Sequence, residues 1–138
     1  MVTFIKKWWP SALTFAVVLW LTLSPDPVGD IEPPSFLGPY ADKIIHFIMF
    51  GGLTGAVVFD AKRAIAGTGK RLSLTFYSVL GVCMLAFAIA DEWAQGAMGF
   101  GRTADIFDFM ADGGGILTAL LIAPPVVNRV LRLHPRKK

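Results

Sequence analysis

Four apolar runs separated by short polar stretches divide the chain. The first covers residues 10–23, with Lys6, Lys7, Trp8 and Trp9 before it and Pro25 and Pro27 after it. Pro10 suits the first turn of a helix, and the later prolines stop one. A basic flank ahead of an apolar run also marks a secretory signal. The exit Ser24-Pro25-Asp26-Pro27, however, lacks the small residues that a signal peptidase needs. The run therefore reads as an uncleaved transmembrane helix. Residues 25–41 are rich in proline, glycine and acid and read as a loop, with Tyr40 as an interfacial anchor.

The second run predicts a helix over 41–59, capped by Asp42, with His46 one turn further along the same face. Gly51 and Gly55 form a G-x-x-x-G that lets a neighbouring helix approach closely. A polar stretch, 60–71, leads to a third helix over 72–95. Ala86, Ala90 and Ala94 form a small-residue ridge on it, and Glu92 and Gln95 share a face. After a glycine-rich turn at 96–101, the fourth helix is predicted over 103–123. Thr103 would cap it, and Ala111, Gly115 and Ala119 would form its ridge. Pro124-Pro125 should end or kink it. Residues 126–133 then read as a short amphipathic segment on the membrane surface.

Composition agrees with this pattern. The 138 residues are 54% hydrophobic and only 17% charged, as in an integral membrane protein. The predicted fold is an all-α membrane protein, one domain over 1–138, with four transmembrane helices. A net charge of +3 would be weak support for nucleic acid, and the placement of the basic residues speaks instead of topology. Lys6, Lys7, Lys62, Arg63, Lys70, Arg71, Arg129, Arg132, Arg136, Lys137 and Lys138 fall on one side of a four-helix arrangement. Only Lys43 and Arg102 fall on the other. Basic residues collect in cytoplasmic loops, so both termini are expected in the cytoplasm. Every acid except Asp60 lies toward the outer side. The lone cysteine, Cys83, sits within an apolar run and reads as only a small hydrophobe.

Two hairpins should bring Asp42, Lys43, His46, Glu92, Gln95, Arg102, Asp105, Asp108 and Asp112 together at the outer end. Asp105, Asp108 and Asp112 are spaced to share one helical face, with Asp112 ~10 Å deeper than Asp105. A carboxylate at that depth costs roughly 2.5–3.5 kcal/mol, so it should face protein or water and have partners. One reading is structural, with Lys43 and Arg102 pairing carboxylates to hold the helix ends. Arg102 would reach Asp105 and bridge to Glu92 with its planar fork. The other reading is a binding site.

With Asp91 included, six acids face two fixed cations. Either some carboxyls are protonated or a cation joins them. A hard divalent ion suits the carboxylates, and a transition metal suits His46 with carboxylates. No ligand spacing decides between these, so neither a metal nor a cofactor is specified. A carboxylate with His46 also suits acid–base work on a lipid headgroup. No G-x-S-x-G, phosphate loop or dinucleotide fingerprint occurs, and Ser73 and Ser78 fall on the wrong side. No catalytic residue is identified.

Two stretches together resemble the VanZ-like family of small bacterial membrane proteins. One is Asp42-Lys43-x-x-His46-Phe47 with Phe50 and Gly51. The other is Asp91-Glu92-x-x-Gln95 followed by Gly101-Arg102, Asp105 and Asp108. The resemblance is strongest over residues 40–122. Asp112 departs from it, standing where the family pattern usually has Asn. The family takes its name from a member linked to teicoplanin resistance. The resemblance implies a multipass protein of the cell envelope in the bacterial cytoplasmic membrane. The outer cluster would then meet membrane lipids, a lipid-linked cell-wall precursor or an amphiphilic glycopeptide antibiotic, and contribute to antibiotic tolerance. A membrane hydrolase or transferase acting on lipid-linked substrates is the alternative. So is a non-catalytic subunit with a membrane protein partner.

Overall fold

A computed structural model of the chain describes residues 2–24, 38–98 and 105–131. Among them are four α-helices: α1 (Val2–Leu23), α2 (Ala41–Ile65), α3 (Leu74–Ala97) and α4 (Ile106–Val130). A short 3-10 turn, Gly38–Tyr40, leads into α2. The latter three helices are each long and apolar enough to cross a membrane. At 1.5 Å per residue, about 25 residues span ~37 Å, more than the ~30 Å hydrocarbon core of a bilayer.

The packing is organised on α2 and α4, which share the largest interface. They run parallel with a nearly constant offset: Lys43 meets Asp108, His46 meets Asp112, Gly51 meets Gly115 and Lys62 meets Asn128. α3 runs antiparallel to α4, with Gly81 against Leu120, Leu85 against Gly113, and Glu92 against Asp105. α1 lies against α2, its early residues at the far end of that helix. The core is formed by Val18, Met49, Phe50, Leu53, Ala88 and Ile116, and Phe87 packs between Phe15 and Phe50. Large apolar side chains such as Trp20, Val82, Trp93 and Leu121 cover the outside. That is how a helix bundle meets lipid, where apolar tails replace water.

Several boundaries differ from the sequence expectation. α1 begins before Pro10 and is interrupted at Trp8, whose φ of −118° and ψ of 17° are not helical. The stretch after that break is the predicted helix, with Pro10 tolerated in its first turn. α2 runs six residues past 59 because Asp60, Lys62 and Arg63 stay helical and find partners. It is entered from Tyr40 with no side-chain cap, so Asp42 lies in the first turn instead of capping it. Ser73 caps α3, accepting from the Phe76 N–H at 3.1 Å.

α4 differs most from the sequence expectation. It continues through Pro124 and Pro125 to Val130, and no separate amphipathic segment begins at 126. Two prolines delete two intrahelical hydrogen bonds. Tertiary contacts hold the helix nonetheless: Val127 is buried, and the Asn128 side-chain oxygen accepts from Lys62 Nζ at 2.5 Å.

The small-residue ridges also differ in part from expectation. α3 turns Ala88, Asp91, Glu92 and Gln95 inward, an i, i+3, i+4, i+7 stripe, and leaves Ala86 and Ala90 exposed on the opposite side. Gly51 does permit a close approach, its Cα facing the Gly115 backbone. Gly55 has nothing within contact distance of its missing Cβ and opens onto a groove between α2 and α4. Cys83 is exposed on α3.

Candidate functional site at the polar end of the bundle

The parallel pairing of α2 with α4, and the return of α3, place the starts of α2 and α4 beside the end of α3. His46, Asp91, Glu92, Gln95, Asp108 and Asp112 are all buried there. Lys43 stands between two acids, with Nζ 2.7 Å from Asp105 Oδ2 and 2.8 Å from Asp108 Oδ1. Asp105 is the N-cap of α4: its Oδ1 accepts from the Phe107 N–H at 2.8 Å, the role expected of Thr103. Its own N–H donates to Glu92 Oε2 at 3.0 Å, tying α3 to the start of α4.

Asp105 is thus not a helical-face neighbour of Asp108 and Asp112 but the residue that opens the helix carrying them. Hydrogen bonds from the Lys43 ammonium and then the Phe107 N–H hold its carboxyl below the usual aspartate range. Its folded-state value is depressed, so this contribution to stability is present above the ordinary aspartate value. It is lost as pH falls through the lower folded one.

Deeper in the bundle, His46 Nδ1 lies 3.0 Å from Asp112 Oδ1 and 3.7 Å from Glu92 Oε1. The three residues come from three helices and are 4%, 0% and 7% exposed for His46, Asp112 and Glu92. Gln95 Nε2 donates to Asp91 Oδ2 at 2.9 Å, one turn away on the same face. Asp91, counted with these acids from the sequence, is buried among them. Its i, i+4 spacing to Gln95 was the signal for it. Asp42 is exposed, but its carboxylate lies within 4.8 Å of donor atoms of His46 and Asp108. Arg102 and Thr103 lie outside the described residues, and so does the bridge expected from Arg102 to Asp105 and Glu92.

Beside the cluster, an open cleft of about 380 Å³ lies between α3 and α4. Its walls are Ile89, Trp93, Ile106 and Phe109, and its polar lining is Glu92 and Asp105. The sequence carried no sign of it beyond lipid-facing apolar positions.

The VanZ/LLP1 family matches residues 2–129, nearly the whole chain. The chain belongs to the VanZ/LLP1 family. No curated protein and no solved structure matches it. Within this VanZ/LLP1 member, both stretches that carried the resemblance contribute to the polar end, the first through Lys43 and His46 and the second through Glu92 and Asp105.

A second polar set, at the opposite end, escaped the sequence reading. Asp60 is fully buried; its Oδ2 accepts from Ser11 N–H at 3.0 Å and Ser11 Oγ–H at 2.6 Å. Its Oδ1 accepts from Arg63 Nη2 at 2.9 Å, and Arg63 also donates to the Lys7 carbonyl. An acid in a basic stretch read as loop. Its standing as the lone acid among the basic residues of that side was the available sign.

Proposed function

We propose that this VanZ/LLP1 protein crosses the bacterial cytoplasmic membrane four times with both termini in the cytoplasm. In this reading its outer-leaflet cluster binds the polar head of an amphiphile whose apolar part lies between α3 and α4. The observation that carries the reading is the cleft: apolar walls open to lipid, with carboxylates of Glu92 and Asp105 among them. Carboxylates accept hydrogen bonds, so the fitting head is rich in donors, a sugar or an amine. A lipid-linked cell-wall intermediate and a lipid-tailed glycopeptide antibiotic both have that chemistry. Sequestering either one in the outer leaflet gives a route to antibiotic tolerance.

Topology is tested first. The division of basic residues predicts that reporters fused after Lys138 and inserted in the 96–101 turn report opposite faces. A C-terminal reporter active only outside the cytoplasm sinks the orientation.

For the ligand, the purified protein in nanodiscs should bind an acylated aminosugar saturably. Ile89→Trp fills the cleft and should weaken binding at least tenfold. Leu121→Trp, on an exposed face of α4, should leave it unchanged. Equal affinity in both variants removes the cleft from the reading.

The placement of His46 Nδ1 between Asp112 and Glu92 supports the enzyme alternative, a hydrolase or transferase of lipid-linked substrates. Turnover of a lipid-linked phosphate by purified protein, lost in Glu92→Gln, selects it over simple binding.

A further inference from the structure

The geometry points to a divalent transition-metal site of the zinc type, held by His46 Nδ1 and the carboxylates of Glu92 and Asp112. One imidazole and two carboxylates, from α2, α3 and α4, offer donor atoms that all lie within 4.8 Å of one another. Two donors about 2.1 Å from a tetrahedral ion sit ~3.4 Å apart. The Nδ1–oxygen distances of 3.0 and 3.7 Å lie on either side of that value.

Acids alone would not make a site, and the independent observation is what they lack. Glu92 Oε1 and Asp112 Oδ2 are buried with no hydrogen-bond partner among the described residues. Glu92 Oε1 is also the oxygen that faces Nδ1. A buried carboxylate oxygen without a donor is costly. Nδ1 carries at most one proton, and one proton cannot serve both carboxylates. The nearby cation Lys43 is already shared between Asp105 and Asp108. A divalent ion with neutral His46 and two carboxylates forms a complex of zero net charge, the form a lipid-surrounded site accommodates best. Imidazole with carboxylates suits zinc, manganese or iron(II) better than calcium or magnesium.

A second triad, Asp42, His46 and Asp108, shares the histidine. Asp42 is exposed and Asp108 Oδ1 lies 2.8 Å from the Lys43 ammonium, so the inner triad is the site. Three protein donors leave a position for a water or a ligand atom, as in catalytic rather than structural zinc sites.

The probe is the metal alone, independent of whatever occupies the cleft, so failure here leaves the amphiphile reading to its own test. Untagged protein in detergent is stripped with chelator and dialysed to equilibrium against Zn²⁺, and bound metal is counted by mass spectrometry. One zinc per chain is expected, with a raised unfolding temperature. Co²⁺ in its place should give visible absorption bands of nitrogen–oxygen coordination. Glu92→Gln and Asp112→Asn keep side-chain shape and should each weaken binding at least tenfold, while Asp42→Asn should not change it. Wild-type protein that binds no stoichiometric zinc overturns the proposal. So does binding lost in Asp42→Asn but retained in Asp112→Asn. The wild-type measurement stands even where a variant fails to fold.

Discussion

Gly115→Ala lowers the unfolding temperature of the detergent-solubilised protein sharply, by about 5–15 °C on the usual scale of overpacking costs, roughly 1–3 kcal/mol. At Gly115 an added Cβ runs into the Phe47 carbonyl oxygen and sits 3.0 Å from Gly51 N, all backbone atoms of α2. A flexible side chain could turn aside, but a helix backbone cannot. The only relief is to part α2 from α4, which opens the interface that carries both the core and the polar end. Gly55→Ala is the control, because its added methyl meets nothing within 4 Å. It should leave the midpoint unchanged or raise it slightly through lower chain entropy. Equal midpoints for the two variants would show that the close approach at Gly115 does not limit packing.

The second large effect is expected at the opposite end. Asp60→Ala removes the acceptor of Ser11 N–H, Ser11 Oγ–H and Arg63 Nη2 from a fully buried position. Breaking a buried charged pair by deleting one partner costs about 3–5 kcal/mol, because the remaining donors lose their compensation. The contact joins α1 to α2, its main neighbour, since the interface of α1 with α3 is slight. Protease cleavage between α1 and α2 should therefore accelerate in Asp60→Ala before the rest of the bundle unfolds. Asp60→Asn keeps one acceptor oxygen and should fall between. If cleavage and unfolding temperature both match wild type in Asp60→Ala, α1 is held by its apolar face alone.

The polar end could be read from the chain because charge in an apolar run is conspicuous and helical spacing then assigns faces. Glu92 and Gln95, or Asp108 and Asp112, had to share a side, and the short turns between helices left few ways to arrange them. Contacts that depend on distant partners were invisible. Pro124-Pro125 looked like an end or a kink because local chemistry says so, while the Lys62–Asn128 hydrogen bond and the burial of Val127 hold the helix beyond them. Asp60, Lys62 and Arg63 looked like loop for the same reason, since each is polar by itself and its partner lies elsewhere in the fold or a turn away. Ala86 and Ala90 of α3 were legible as small but not as outward-facing. Their spacing fits a ridge equally well on either side of a helix.

Glu92 illustrates what the antiparallel return of α3 does electrically. It lies near the C-terminal end of its own helix, where aligned peptide dipoles leave about half an elementary negative charge and disfavour a carboxylate. α4 begins next to it, and the start of a helix offers free amide hydrogens and the opposite half charge. The Asp105 N–H that Glu92 accepts belongs to that start. An acid at the unfavourable end of one helix is therefore seated on the favourable end of the next. Asp105 and Asp108, at the beginning of α4, and Asp42, at the beginning of α2, need no such loan. The backbone itself thereby supplies part of the positive field in which the acids of this end are gathered.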